Sequence, residues 1–100
     1  MKITVETVVK SDLNRVWHAW NNPEDWHTPQ ATVDLRVPRE LVAYRMSDGR
    51  ECTVEFKPNG AGVRVRETFD AETENPAELQ RQGWQAILDN FARHVEGGAP

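Results

Sequence analysis

The side chains that could do chemistry in this chain of 100 residues are few and widely separated. Its three histidines, His18, His27 and His94, have no metal-binding spacing with one another or with the single cysteine, Cys52. Cys52 falls on the apolar face of a predicted strand, where a thiol is a small buried hydrophobe rather than a reactive thiolate. The sequence therefore predicts no metal site and no nucleophile.

Two pairs of carboxylates, Glu24 with Asp25 and Glu72 with Glu74, flank predicted loops, where we expect them to face water. General acid–base chemistry is therefore not expected of them. The loop at residues 59–62 is rich in glycine but precedes a strand, so no helix N-terminus follows that could bind a phosphate. We expect no cofactor, no catalytic residue and no enzymatic activity.

Tryptophan is the residue in excess, with four in 100 residues. Three of them fall on apolar stripes that are predicted to face the core, and core packing alone accounts for that placement. The alternative is that they wall an apolar pocket for a lipid-like or aromatic ligand. The candidate residues for the lining of such a pocket are Trp17, Trp20, Val42, Tyr44, Val54, Phe56, Gly83, Trp84 and Ile87.

Composition and charge exclude several classes of protein. The net charge is −4 and both signs are interleaved, which argues against nucleic-acid binding by clustered Lys and Arg. No apolar run approaches the roughly 20 residues of a membrane span, and the N-terminus lacks the apolar core of a signal peptide. A single cysteine cannot form an internal disulfide, so we expect a cytoplasmic protein with one domain, residues 1–100.

The N-terminal part of the chain predicts a strand, a helix and a second strand. Residues 3–9 alternate and are rich in β-branched side chains, which is typical of a strand. A helix follows with Ser11 as its N-cap, and Pro23 ends it. Residues 32–37 alternate again, with Val33, Leu35 and Val37 on one face. The apolar stripe of the helix consists of Leu13, Val16, Trp17 and Trp20.

Residues 39–69 predict three further strands in sequential hairpins. A turn with Gly49 at a position that needs a positive φ joins the first two of these strands. This turn makes Tyr44 face Cys52 and Val42 face Val54, so that apolar side chains meet across the pair. In the third strand, one face carries Val63, Val65 and Phe69.

The last predicted element is a long helix that begins near Asn75 and Pro76. Gly83 in its middle indicates either plain packing or, as the functional alternative, a close approach to the sheet or room for a ligand. The order of elements predicts an α+β fold in which an antiparallel sheet packs on the long C-terminal helix. The predicted core stripe of the helix consists of Leu79, Gly83, Trp84, Ile87, Leu88, Phe91 and Val95.

Three segments resemble the activator of heat-shock-protein ATPase homologue-like family, which belongs to the START-like (SRPBCC) helix-grip superfamily. An x-V-W-x-A-W-x-x-P-E pattern occupies residues 15–24, and the segment DWHTPQATVDLRV occupies residues 25–37. The motifs ETFD and QGW follow at residues 67–70 and 82–84. The resemblance implies a curved antiparallel sheet that grips the C-terminal helix, often with an apolar cavity between them.

The chain departs from the family pattern after Val37, where relatives usually continue through a Gly-Gly turn and two long strands. Here Pro38 follows directly, and a stretch between Asp25 and Trp26 is also shortened. We therefore expect a START-like domain with an internal deletion of central strands. Such a loss leaves either a small sheet with a reduced cavity or an exposed strand edge. We therefore predict a homodimer through the strand Leu41–Met46, or through exchanged elements. A monomer of low stability is the competing interpretation.

Four interpretations of function follow from the residues and the resemblance. The first is a non-catalytic domain that binds a small hydrophobic or amphipathic ligand. The second is a chaperone-related interaction protein, as the name of the family suggests. The third is enzymatic chemistry in the cavity, for which the predicted inner faces offer little beyond the Tyr44 hydroxyl. The fourth is a shortened domain with no surviving cavity.

Overall fold

The computed structural model describes residues 1–22 and 31–97, so His27 and the pair Glu24 and Asp25 lie outside the described residues. The described elements are β1 (Lys2–Val9), α1 (Leu13–Asn21), β2 (Ala31–Val37), β3 (Leu41–Met46), β4 (Glu51–Asn59), β5 (Gly62–Asp70) and α2 (Ala77–Gly97). The strands form one antiparallel sheet in the order β1-β5-β4-β3-β2. This arrangement confirms the α+β fold with a sheet packed on a long C-terminal helix.

The first strand and helix form as the sequence predicts, with a shift of one residue at the cap. Asp12, not Ser11, is the N-cap of α1, and its Oδ1 accepts a hydrogen bond from the Arg15 backbone N–H at 2.9 Å. The buried face of α1 carries Val16, Trp17, Ala19 and Trp20. Neither described helix is long and apolar enough to cross a membrane.

The hairpin of β3 and β4 has the predicted register. Tyr44 pairs with Cys52 and Val42 pairs with Val54. Gly49 in the connecting turn has a φ of +90°, which only glycine adopts without strain. The alternation of apolar residues and the glycine in the turn therefore predict this register correctly.

β2 does not have the single apolar face that the sequence predicts. A bulge between Val33 and Leu35 shifts the register against β3, so the two residues do not continue one alternating row. Both side chains are exposed, by 38% and 53% of their surface. The strand lies at the edge of the described sheet.

The prediction that Leu41–Met46 forms an open edge is wrong. This segment is β3, which hydrogen-bonds to β2 on one side and to β4 on the other. An internal strand has no unpaired backbone row for a second chain to join. The edges of the described sheet are β1 and β2, so a homodimer built by strand pairing would use one of those two.

The core lies between one face of the sheet and the two helices. Trp20 of α1 connects the layers, because its ring meets Phe56 of β4 and Phe91 of α2 edge-on, with centroid distances of 6.2 and 4.8 Å. Phe69, Leu88 and Phe91 are completely buried. Close packing of aromatic rings therefore holds α1 and α2 against the sheet.

The prediction that Gly83 and Ile87 face the core is wrong, because α2 is rotated away from the predicted stripe. Ile87 is 47% exposed, and Gly83 lies on the solvent side with no heavy atom within 4 Å of an added Cβ. Each four-residue step turns the helix by roughly 40°, so a row of such steps drifts around the axis. Leu79 is displaced from Phe91 by roughly 120° in this way. The buried residues of α2 are Gln80, Leu88, Phe91, Ala92 and Val95.

Gln80 explains why the first turns of α2 take this rotation. Its side chain accepts a hydrogen bond from the Glu72 N–H at 2.9 Å and donates to the carbonyl oxygens of Glu72 and Asn75 at 3.2 and 2.8 Å. These three bonds satisfy backbone groups of the loop that precedes the helix. The polar residue therefore faces inward at this end, and Leu79 beside it faces solvent.

Substitution of two glycines by alanine is expected to change the stability of the fold in opposite directions. A Cβ at Gly62 would lie 2.5 Å from the Val9 carbonyl oxygen, so Gly62→Ala must displace β1 and is expected to destabilise the fold by about 1–3 kcal/mol. Gly83→Ala meets open space on a helix and is expected to stabilise it by up to about 1 kcal/mol. Urea unfolding followed by circular dichroism measures both values. A destabilising Gly83→Ala would contradict the solvent-facing position of this residue.

Candidate functional site

Four polar groups meet on the inner face of the sheet, and we call them the inner polar cluster. They are the Glu67 carboxyl of β5, the Cys52 thiol of β4, the Tyr44 hydroxyl of β3 and the Trp20 indole of α1. All four residues are buried, with exposed fractions of 5%, 4%, 8% and 3%. Tyr44 pairs with Cys52, while Glu67 pairs with Val54, so Glu67 lies diagonally across from Cys52. Three neighbouring strands and one helix thus position the cluster.

Two hydrogen bonds connect the members of the cluster in pairs. The Trp20 indole N–H donates to the Tyr44 hydroxyl oxygen at 2.7 Å. The Cys52 thiol donates to Glu67 Oε2 at 3.7 Å. Within residues 1–22 and 31–97, this thiol is the one hydrogen-bond partner of the Glu67 side chain. The second carboxyl oxygen and the Tyr44 hydroxyl proton therefore have no hydrogen-bond partner among the described residues.

Burial dominates the electrostatics of the cluster. It raises the pKa of Glu67 to about 7, and the Cys52 hydrogen bond lowers this pKa by less than burial raises it. Burial also raises the pKa of the Cys52 thiol, and the neighbouring Glu67 raises it further. The pKa of Tyr44 is raised, again first by burial. Cys52 and Tyr44 therefore stay neutral near pH 7, while Glu67 is divided between its acid and its carboxylate.

Glu67 is the functional candidate that the sequence analysis missed. The alternation of Val63, Val65 and Phe69 along β5 places position 67 on the same inner face, and the burial pattern confirms this. The sequence does contain a signal for this residue, because Glu67 is a carboxylate that interrupts the apolar row of β5. Such a residue costs free energy unless it is neutral, hydrogen-bonded or paired, so its presence indicates a role beyond packing.

Seven of the nine predicted lining residues lie at the core between the sheet and the helices, while Gly83 and Ile87 do not. Trp84 is partly buried and stacks on Phe69, with a centroid distance of 3.9 Å and an interplanar angle of 10°. The six that are fully buried are Trp17, Trp20, Val42, Tyr44, Val54 and Phe56. Their part in ligand binding stays a prediction.

An open groove of about 580 Å³ lies at one end of the core, and we call it the end groove. Its volume falls within the roughly 300–1,000 Å³ of small-molecule sites. Leu13, Leu41 and Phe56 contribute apolar lining, while charged side chains of both signs stand around it. The lining residues are Leu13, Val37, Pro38, Arg39, Glu40, Leu41, Glu55, Phe56, Lys57 and Pro58.

The turn between β2 and β3 shapes the wall of the end groove. The Glu40 N–H donates to the Val37 carbonyl at 3.0 Å, which closes a four-residue turn around Pro38 and Arg39. Arg39 has a φ of 63°, a left-handed conformation that is strained for a residue with a side chain. Strain of this kind concentrates at ligand-binding and other functional sites.

The end groove and the inner polar cluster are joined through Phe56. The Phe56 ring lines the groove and lies edge-on to Trp17 and Trp20, with centroid distances of 5.3 and 6.2 Å. Trp20 in turn donates to Tyr44 of the cluster. No three His, Cys, Asp or Glu side chains lie close enough to hold a metal ion in the described part of the chain. The arrangement is suited to an amphipathic molecule.

Comparisons with known proteins agree with this architecture. Residues 37–96 match the family model of the Activator of Hsp90 ATPase homolog 1-like protein. The AHSA1-like protein from Aeromonas hydrophila is 35% identical, with a TM-score of 0.82 over 98% of this chain and 94% of that chain. Chr148 from Cytophaga hutchinsonii is 30% identical, with a TM-score of 0.74 over 97% and 93% of the two chains. No curated protein matches the sequence.

A more distant structure shares the fold alone. The Aha1 dimer from Colwellia psychrerythraea is 14% identical, with a TM-score of 0.77 over 100% of this chain and 99% of that chain. The family model spans more than half of the sequence, and the Aeromonas hydrophila relative extends the similarity over nearly all of it. The helix-grip resemblance is thereby confirmed, and this chain belongs to the family of Activator of Hsp90 ATPase homolog 1-like proteins.

Proposed function

We propose that this protein is a non-catalytic domain that binds a small amphipathic ligand, with the apolar part of the ligand in the end groove. The observation that carries this proposal is the groove of about 580 Å³ beside Phe56. Leu13 and Leu41 offer apolar contact there, and the surrounding charges suit a polar group on the ligand. Cys52 is a free buried thiol, which fits a reducing compartment such as the cytoplasm.

The chemistry of the site supports binding over catalysis. A nucleophilic cysteine needs a thiolate, and burial raises the pKa of the Cys52 thiol away from that state. Glu67 could exchange a proton near neutral pH, but apolar neighbours enclose it and its exposed fraction is 5%. A general base must reach the proton that it removes in a bound substrate. We therefore propose no turnover at Glu67.

A fluorescent apolar probe tests the proposed function. N-phenyl-1-naphthylamine is expected to bind saturably with one equivalent per chain and to change the emission of the buried tryptophans. Leu41→Glu places a charge in the end groove and is expected to weaken binding about tenfold or more, which corresponds to about 1.4 kcal/mol. Leu79→Glu is the matched control, because Leu79 is exposed on α2 and does not line the groove.

Either of two results would contradict ligand binding at the end groove. The first is an absence of saturable binding to a chain whose circular dichroism shows that it is folded. The second is an equal loss of affinity in Leu41→Glu and Leu79→Glu, because binding would then not depend specifically on the groove.

The exposed apolar residues of α2 favour a second candidate function, a chaperone-related interaction. Leu79 and Ile87 are 56% and 47% exposed on the outward side of the helix. The family description names activation of the Hsp90 ATPase. A partner at this surface would leave the inner polar cluster untouched. Stimulation of a purified Hsp90 ATPase that Leu79→Glu abolishes, and Leu41→Glu does not, would support this second function.

A further inference from the structure

Two cations lie directly opposite each other on the outer side of the sheet, the side away from the helices. Lys57 of β4 and Arg64 of β5 pair in the register of the two strands. Residues paired in this way have Cβ atoms about 4.5–5.5 Å apart, and like charges at that spacing are destabilising. Among the described residues, neither side chain is in an ion pair. A pair that works against the stability of the sheet indicates a role in binding.

The neighbouring row on the same side of the sheet has the opposite arrangement. Arg66 pairs in register with Glu6 of β1 and with an acid of β4, and its Nε lies 2.8 Å from Glu6 Oε2. Arg64, two residues earlier, has Val8 and Lys57 in the same places. Its row therefore holds two positive charges and no acid. In a chain with a net charge of −4, this row is a local excess of positive charge.

Lys57 connects the cation pair to the end groove. The pairing of β3 with β4 ends at Leu41 and Glu55, so Lys57 lies two residues beyond the last pair. On that side β4 borders the groove, and both Phe56 and Lys57 line it. On its other side Lys57 faces Arg64. A head group at the Lys57 end of the groove is therefore beside both cations.

The other charges of the groove lining have neighbours of opposite sign. Glu55 faces Arg66 across the sheet. Arg39 and Glu40 are consecutive residues of the turn between β2 and β3. Lys57 differs from these three because its partner in register is a second cation. The surroundings therefore attract an anionic head group to this end of the groove and repel a cationic one.

We propose that Lys57 and Arg64 form a head-group subsite of the end groove and that they select an amphipathic anion with a carboxylate or phosphate head. The inference deepens the proposed function and rests on it. The apolar tail contacts Leu13 and Leu41 in the groove. The Arg64 guanidinium presents a planar fork of N–H donors that matches two oxygens of one anion, and the Lys57 ammonium adds a point charge. An anion between the two cations replaces their repulsion with attraction.

Displacement of N-phenyl-1-naphthylamine by three ligands of equal chain length tests the proposal on the full chain at pH 7. Octanoate is expected to bind about tenfold or more tightly than octanol, and octylamine is expected to bind most weakly. The advantage of octanoate is expected to shrink as NaCl is raised from about 20 mM to about 300 mM, because salt screens exposed charges. Octyl phosphate is measured beside octanoate, and a preference for only one of the two heads would support the subsite and identify its anion.

Two variants locate the head group. Lys57→Gln and Arg64→Gln are each expected to reduce the affinity for octanoate about threefold or more and to leave the affinity for octanol unchanged. Lys2→Gln is the matched control, because Lys2 also lies on β1 at the surface but pairs with Asp70 and does not line the groove. It is expected to keep octanoate affinity within about twofold. Unchanged binding of the neutral probe verifies that each variant is folded.

The outcomes separate this inference from the proposed function. Equal affinity for octanoate and octanol, or tightest binding of octylamine, would overturn the anionic head group while the proposed function stands. Equal losses in Lys2→Gln and Arg64→Gln would overturn the subsite in favour of a general attraction by surface charge. Failure of the neutral probe to bind the folded chain would remove the proposed function itself.

Discussion

Phe91→Ala is expected to lower the free energy of unfolding by about 3–5 kcal/mol. Phe91 is completely buried in α2, and its ring meets the Trp20 ring edge-on at a centroid distance of 4.8 Å. Truncation removes an aromatic contact between α2 and α1 and leaves a cavity that rigid strands cannot fill. A domain of this size has about 5–15 kcal/mol of stability, so the expected loss is a large part of the total. Urea unfolding followed by tryptophan emission measures the loss.

Ile87→Ala provides the matched control on the same helix, one turn before Phe91. Ile87 is 47% exposed, and its truncation is expected to cost about 0.5 kcal/mol or less. Comparison of the two losses of stability tests which face of α2 packs against the core. Comparable losses at both positions would mean that Ile87 also packs inward, and the described orientation of the helix would then be wrong.

Raising the pH from 5 to 8 is expected to destabilise the fold by about 2–3 kcal/mol through Glu67 alone. The ordinary pKa of this side chain is 4.5, and burial raises it to about 7 in the folded protein. Between these values the folded state holds a proton that the unfolded state has released, so unfolding becomes more favourable as the pH rises. Below the lower value both states are protonated, and the full stability is present.

Glu67→Gln is expected to remove this part of the pH dependence, because an amide does not titrate. Denaturant unfolding of the wild type and of Glu67→Gln at pH 5, 6, 7 and 8 measures how steeply the free energy of unfolding changes with pH in each protein. The contributions of all other titrating groups cancel in the difference between the two slopes. The pKa values of Asp48 and Asp70 are lowered by Arg50 and Lys2, so these carboxylates titrate below the window. Glu51→Gln, at an exposed position of β4, serves as the control. Parallel stability curves for the wild type and Glu67→Gln would show that Glu67 is not buried as described.

Features set by nearby residues were predictable from the sequence. The register that pairs Tyr44 with Cys52 follows from alternation and from Gly49, because a tight turn fixes the pairing of the strands that it joins. The apolar stripe of α1 follows in the same way from the spacing of Val16, Trp17 and Trp20. In both cases the information lies within ten residues.

Features set by distant contacts were not predictable from local patterns. The rotation of α2 depends on the hydrogen bonds of Gln80 to the preceding loop, and polar side chains do not enter a count of apolar spacing. The position of β3 inside the sheet depends on the pairing of β2 beside it. The end groove arises where α1, the β2–β3 turn and β4 meet, and no single segment encodes it. Of the candidate site, the inward position of the aromatic residues was predictable from the apolar stripes. The inward position of Glu67 follows only from the apolar residues that alternate with it along β5.

The order of the strands has a consequence for the synthesis of the protein. Ile3 of β1 pairs with Phe69 of β5, which follows it by 66 residues. Ribosomes add roughly 5–20 residues per second, so β1 waits roughly 3–13 s for its partner to be made. The other strands form sequential hairpins and fold as they are completed. The nascent chain therefore exposes the apolar row of β1 until β5 has been made, and the first of the described strands is the last to find its partner strand.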